Sequence, residues 1–126
     1  MATRLGQYCI NVSNLEKAVD FYENAIGLTI TNRIEEEKFR EVILGTEDGA
    51  RLQLAFHKEE AGPIKHSNAF WKHYVYTDNC QELFDRAVAA GAGTMMPPME
   101  LKEWNVTIAM VTDLDGYNLE IVQNHD

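Results

Sequence analysis

The sequence predicts an α+β fold in which one module, running strand, helix, strands, is used twice. Three observations predict it. Stretches that alternate with period two are punctuated by two stretches with helical spacing. The residues that open the two helices, Asn14 and Asn79, lie 65 positions apart, and the turns Asp48-Gly49 and Asp115-Gly116 lie 67 apart. The second half therefore repeats the first with a small insertion. Finally, 126 residues that are 45% hydrophobic can bury the core of one domain without disulfide or metal staples. The expected organisation is a single domain over 1–126, made of modules 1–60 and 68–126.

Gln7 to Val12 alternates Gln7, Cys9 and Asn11 on one face with Tyr8, Ile10 and Val12 on the other, the second being the core face. Ser13-Asn14-Leu15-Glu16 matches a capping box, in which the Ser hydroxyl and Glu carboxylate satisfy amides at a helix start. Leu15, Ala18, Val19, Tyr22 and Ile26 form the apolar stripe of that helix, and Gly27 is placed to end it in the left-handed conformation. Strands are expected at Thr29 to Ile34, Phe39 to Leu44 and Arg51 to His57, with Glu35-Glu36-Glu37 a solvated hairpin end. From Lys58 to Ala69 the periodicity is lost, and Gly62 and Pro63 mark a connection between the halves.

Phe70 to Thr77 is an aromatic-rich strand, and Asp78-Asn79-Cys80-Gln81 opens a second helix with the stripe Cys80, Leu83, Phe84 and Ala87. Gly93 to Leu101 contains Met95-Met96-Pro97-Pro98-Met99; the prolines keep it off a central strand, and its methionines read as core filling. Val106 to Val111 and Asn118 to Val122 close the chain as a hairpin around Asp113-Leu114-Asp115-Gly116.

Composition narrows the partners. The net charge of −9 would repel a phosphate backbone, which speaks against general nucleic-acid binding. No apolar run approaches the ~18 residues a membrane span needs, and the first residues lack a signal-peptide core, so the expectation is a cytoplasmic protein with no membrane partner. Cys9 and Cys80 are too few for a disulfide framework and read as reduced thiols. A small molecule, or a second copy of the chain, is the expected partner.

Carrying the two offsets onto the strands pairs Gln7 with Lys72, and Gln53 with Glu120. All four lie on the strand faces opposite the helix-packing side chains, so a curved mixed sheet made from both modules would gather them around one pocket. Cys9 shares Gln7's face, and Tyr74 and Tyr76 share Lys72's, giving the mixed polar and apolar lining of a ligand site. Trp71 and Trp104 add stacking surfaces for a flat ligand, as Phe56 would.

The pattern resembles the vicinal oxygen chelate superfamily, the group of glyoxalase I, extradiol dioxygenases, and fosfomycin- and bleomycin-resistance proteins. Carrying it are Asn14-Leu15-Glu16-Lys17-Ala18-Val19-Asp20-Phe21-Tyr22 running to Gly27-Leu28, the helix Leu83 to Gly91, and Asp113-Leu114-Asp115-Gly116-Tyr117-Asn118-Leu119-Glu120. The resemblance implies paired βαβββ modules and a homodimer. It also implies a divalent metal held by His, Gln or Glu at four strand positions, which fall here on Gln7, Gln53, Lys72 and Glu120. Of these, Gln7, Gln53 and Glu120 can offer oxygen, whereas an ammonium at Lys72 has donors only. His73 is one residue away, but a one-residue slip would turn the whole strand over. The ligand set favours a metal-free chain over one holding a single divalent ion (Ni, Zn, Mn or Fe).

Two functions follow from the resemblance. One is a glyoxalase-like lyase or isomerase with a degenerate metal site, in which Glu120 moves a proton next to a carbonyl and Lys72 stabilises the enediolate. Gln7, Cys9, Gln53, Tyr74, Tyr76, Trp71 and Trp104 would bind its substrate. The alternative is a metal-free module that sequesters a drug or aromatic metabolite, of the bleomycin-resistance type.

Overall fold

The computed structural model describes residues 2–126; Met1, with which the expected first module begins, lies outside the described residues. The chain divides between Ile64 and Lys65 into two compact units, and each is a βαβββ module with its own four-stranded mixed sheet. The α+β fold expected from the repeat is the fold observed.

In the first unit the elements are β1 (Gln7–Asn11), α1 (Leu15–Asp20), a π-helical continuation (Phe21–Ile26), β2 (Thr29–Glu35), β3 (Phe39–Gly45) and β4 (Arg51–His57). The sheet order is β1-β4-β3-β2, with β1 parallel to β4 and the remaining pairs antiparallel. The helical face carries Leu15, Ala18, Val19, Tyr22 and Ile26, all buried, as the 3.6-residue stripe requires. Val42, Leu44, Leu52 and Leu54 are buried with them. Gly27 ends the helical segment at φ 96°, a left-handed conformation that costs glycine nothing.

The second unit runs β5 (Lys72–Tyr76), α2 (Cys80–Ala89), β6 (Gly93–Leu101), β7 (Val106–Thr112) and β8 (Asn118–Asn124), in the order β5-β8-β7-β6. β6 is an edge strand. Its prolines, Pro97 and Pro98, sit where the register slips between Met96 and Met99, so no ladder position demands their missing N–H. Its methionines do not fill the core as expected: Met95 and Met99 are exposed, because an edge strand leaves one side to solvent.

The helix caps correct the sequence reading. Asn14, not Ser13, caps α1, its side-chain oxygen accepting from the Lys17 amide at 3.1 Å; Glu16, expected to complete a capping box, instead pairs with Arg40 at 3.0 Å. Asn79 caps α2 in the same way, accepting from the Glu82 amide at 3.1 Å. The repeated feature is therefore one asparagine per module, which satisfies an amide left open in the first turn. β5 also starts later than expected, since Phe70 packs edge-on against His73 and Tyr117 and does not extend the ladder.

Candidate functional site

The buried carboxylate of Asp113 sets the second unit's site. Its Oδ1 accepts from the amides of Asp115 and Tyr117, both at 2.9 Å, and Gly116 takes φ 90° to complete the turn. That turn fixes where β8 begins, and hence its register: Lys72 lies opposite Asn118, and Tyr74 opposite Glu120. Lys72 reaches diagonally past its own partner to Glu120, two residues along, as long side chains on one sheet face can. Nζ donates to Glu120 Oε1 at 2.6 Å, with the two side chains only 13% and 12% exposed.

Aromatic rings hold the ammonium there. Lys72 Nζ sits 4.1 Å from the Trp71 ring centroid and 5.2 Å from that of Tyr74. Trp71 is itself fixed through its carbonyl, which accepts from Asn118 Nδ2 at 3.0 Å. The hydrogen bond to Glu120 raises the Lys72 pKa above its ordinary value against the opposing pull of desolvation, so the side chain is a cation. His73 is on the other face, in register with Leu119, and burial lowers its pKa to about 4. It points away from Lys72 and Glu120, as the strand alternation requires.

The first unit repeats the arrangement with neutral groups. Gln7 lies opposite Arg51, and its Nε2 reaches diagonally to Gln53 Oε1 at 2.6 Å. Cys9 lies opposite Gln53 on the same face, and its Sγ approaches Glu41 Oε2 at 4.0 Å. Burial first, and then the Glu41 carboxylate, push the Cys9 thiol pKa up, the opposite of what an activated nucleophile needs.

Each unit thus assembles part of the expected set: Gln7, Cys9 and Gln53 in one, Lys72, Glu120, Tyr74 and Trp71 in the other. Tyr76 is on the same face but lies opposite Val122, and is 72% exposed. Trp104 is not brought to Lys72 within its own unit. It sits in the turn before Val106, which pairs with Asn124, about 20 Å along β8 from Asn118 at ~3.4 Å per residue. Phe56 is on the helix-packing face, in register with Arg40, and so does not line this one.

Sequence reasoning missed Glu41. The run Val42-Ile43-Leu44 hides the alternation of β3, but Glu41 and Ile43 share a face, and Ile43 pairs with Gln53. It also missed the contact of His57 Nε2 with Asn11 Oδ1, 3.0 Å, on the same face.

Neither unit presents a donor set that fits a divalent ion. Gln53 Oε1 is taken by the Gln7 amide, Glu120 Oε1 by an ammonium, and His73 faces the helix side. Among the described residues no three His, Cys, Asp or Glu side chains cluster as ligands. No helix among them is long and apolar enough to cross a membrane.

Residues 4–121 match the family model of the glyoxalase/bleomycin resistance protein/dioxygenase superfamily. The chain belongs to that superfamily. Within it, the chain is 30% identical over 125 residues to a lactoylglutathione lyase of Neisseria meningitidis, covering 95% of this chain and 90% of the relative. It is 25% identical over 120 residues to the lactoylglutathione lyase of Haemophilus influenzae, covering 91% and 88%. The fold matches glyoxalase I of Leishmania major with a TM-score of 0.82 at 20% identity, over 97% of this chain and 87% of that one. A glyoxalase family protein from Bacillus cereus matches with a TM-score of 0.85 at 17% identity, over 100% and 97%. This superfamily member is thus glyoxalase-like in sequence and in fold, with a lysine hydrogen-bonded to the carboxylate on its second sheet.

Proposed function

We propose that this chain is a glyoxalase-like lyase or isomerase that moves a proton next to the carbonyl of a small molecule. The observation that carries the reading is the Lys72–Glu120 pair, a base and a cation 2.6 Å apart and largely shielded from water, in a relative of lactoylglutathione lyases. Lactoylglutathione, for which those relatives are named, is a thioester of a 2-hydroxy acid, so a carbon-bound hydrogen lies beside a carbonyl. A substrate of that class suits this pair.

With Oε1 held by Lys72, Oε2 of Glu120 takes the proton from carbon. The C–H electron pair becomes the new C=C bond, and the carbonyl π pair moves onto oxygen. An ammonium has three N–H donors, so Lys72 can hold this oxyanion while still touching Glu120. The hydroxyl on the deprotonated carbon then passes its proton to the former carbonyl oxygen as its own C–O becomes the new carbonyl, while Glu120 returns the carbon-bound proton to the former carbonyl carbon, so nothing is oxidised or reduced overall. Gln7, Gln53 and Cys9 belong to the substrate-binding groups in this reading, and the working form is a cytoplasmic homodimer.

Exposed rings favour a second reading, a binding module for a flat molecule of the bleomycin-resistance type: Trp71 and Tyr76 are each 72% exposed and Tyr74 is 49% exposed. Turnover of lactoylglutathione, followed through its thioester absorbance, separates the two. Glu120→Gln is expected to lower kcat by about 10²- to 10⁴-fold while the protein stays folded. Ligand retention without turnover in the native protein would favour the binding module.

A further inference from the structure

We infer that Lys72 is a built-in replacement for a divalent cation, and that its ammonium excludes metal from the Glu120 face. Resting on the proton-transfer reading for its catalytic meaning but not for its test, this assigns Lys72 the role of a tethered cation that cannot be lost to a chelator.

Three features of the geometry support it. First, Nζ sits 2.6 Å from Glu120 Oε1, so an ion bound at either oxygen of this carboxylate would lie beside the ammonium charge. Second, the ammonium also lies 4.1 Å from the Trp71 ring centroid and 5.2 Å from that of Tyr74, contacts that favour its place beside Glu120. Both partners are largely buried, and like charges repel more strongly where water is thin. Third, the equivalent strand positions of the first unit carry Gln7 and Gln53, neutral amides bonded to each other at the same 2.6 Å. The scaffold thus accepts an oxygen-bearing side chain at this position, and the exclusion of metal comes from the residue and not from the fold. An ammonium has three donors and no lone pair, so Lys72 at this distance from Glu120 offers an ion no ligand.

The test is calorimetric titration of the chelator-treated full chain with Ni²⁺ and with Zn²⁺, in the wild type, Glu120→Gln, Lys72→His and the double variant, with thermal melts to confirm folding. Wild type and Glu120→Gln are expected to give the same isotherm, since Glu120 takes no metal. Lys72→His, which exchanges the ammonium for an imidazole, is expected to bind at least about tenfold more tightly, and the double variant to lose that gain. A stoichiometric site in the wild type that Glu120→Gln removes would overturn the inference. So would Lys72→His binding no better than wild type, because the ammonium would then not be what keeps metal out. Turnover is not read in this experiment, so failure of the proton-transfer proposal would leave its result interpretable.

Discussion

Gln7 with Gln53 and Lys72 with Glu120 occupy equivalent positions in two modules of one topology, make the same diagonal reach across a parallel strand pair, and close to the same 2.6 Å. They differ in charge and in exposure. The first pair is two amides at a more open surface; the second is an ion pair under aromatic rings. Backbone register positions both contacts, and side-chain chemistry alone decides which can work on a proton. Beneath them the contrast continues, because Tyr8 and His73 are equivalent residues on the opposite face, each held neutral by burial: Tyr8 is pushed up to about 12 and His73 down to about 4.

The largest expected effect tests the pairs themselves. Glu120→Leu leaves an ammonium in a largely buried place without its partner, and is expected to cost about 3 kcal/mol of unfolding free energy in urea. Adding Lys72→Met should bring stability back to within about 1 kcal/mol of wild type, since removing both charges also removes the desolvation cost. Gln53→Leu in the first unit should cost about 1 kcal/mol or less. Equal losses in the two units would mean that charge does not distinguish the two contacts.

Acid and alkali should then separate Tyr8 from His73. His73 has a depressed folded pKa, so its contribution is complete above its ordinary 6.5 and is lost as pH falls through about 4; the loss is up to about 3 kcal/mol. Tyr8 has a raised pKa, so its contribution is complete below its ordinary 10 and is lost as pH rises through about 12. That loss is about 1 kcal/mol, discounted because Tyr8 is only partly buried. Urea titrations of wild type, His73→Phe and Tyr8→Phe across both windows check this, and each variant should flatten one limb only.

The smallest effect concerns the thiols. Cys80 is fully buried, and its Sγ lies 3.8 Å from the Ile121 carbonyl, so it should react with a disulfide reagent only on unfolding. Cys9 is exposed, and relieving the Glu41 charge by Glu41→Gln should speed its reaction near pH 8 by about two- to threefold.

The parts of this fold that were legible in the sequence are those where local chemistry and tertiary packing agree. Arg51–His57 has the bounds read from its alternation, and Gly27 takes the left-handed conformation its place after the apolar stripe demanded. The repeat offset carried Gln7 onto Lys72 and Gln53 onto Glu120, and the two diagonal contacts lie at those positions. The capping box failed because the sequence does not show where β1 lets go of its sheet, and so which of Ser13 and Asn14 stands at the helix start. Glu41 stayed hidden because its strand is buried over Val42, Ile43 and Leu44, where no alternation survives. Trp71, beside the Lys72 ammonium, is tied through its carbonyl to Asn118, a long-range contact no local pattern encodes.

In the proposed reaction the charge on Lys72 stabilises the oxyanion that forms as Glu120 removes the proton. The most direct test is kcat for lactoylglutathione turnover by Lys72→Met beside wild type, both freed of metal by a chelator and both shown to be folded. Chelator-treated wild type is expected to turn over, and Lys72→Met to fall by about 10²- to 10³-fold in kcat, the scale on which losing an oxyanion donor is felt. Wild-type kcat in Lys72→Met, or a wild type silenced by the chelator and restored by added metal, would contradict that role of Lys72.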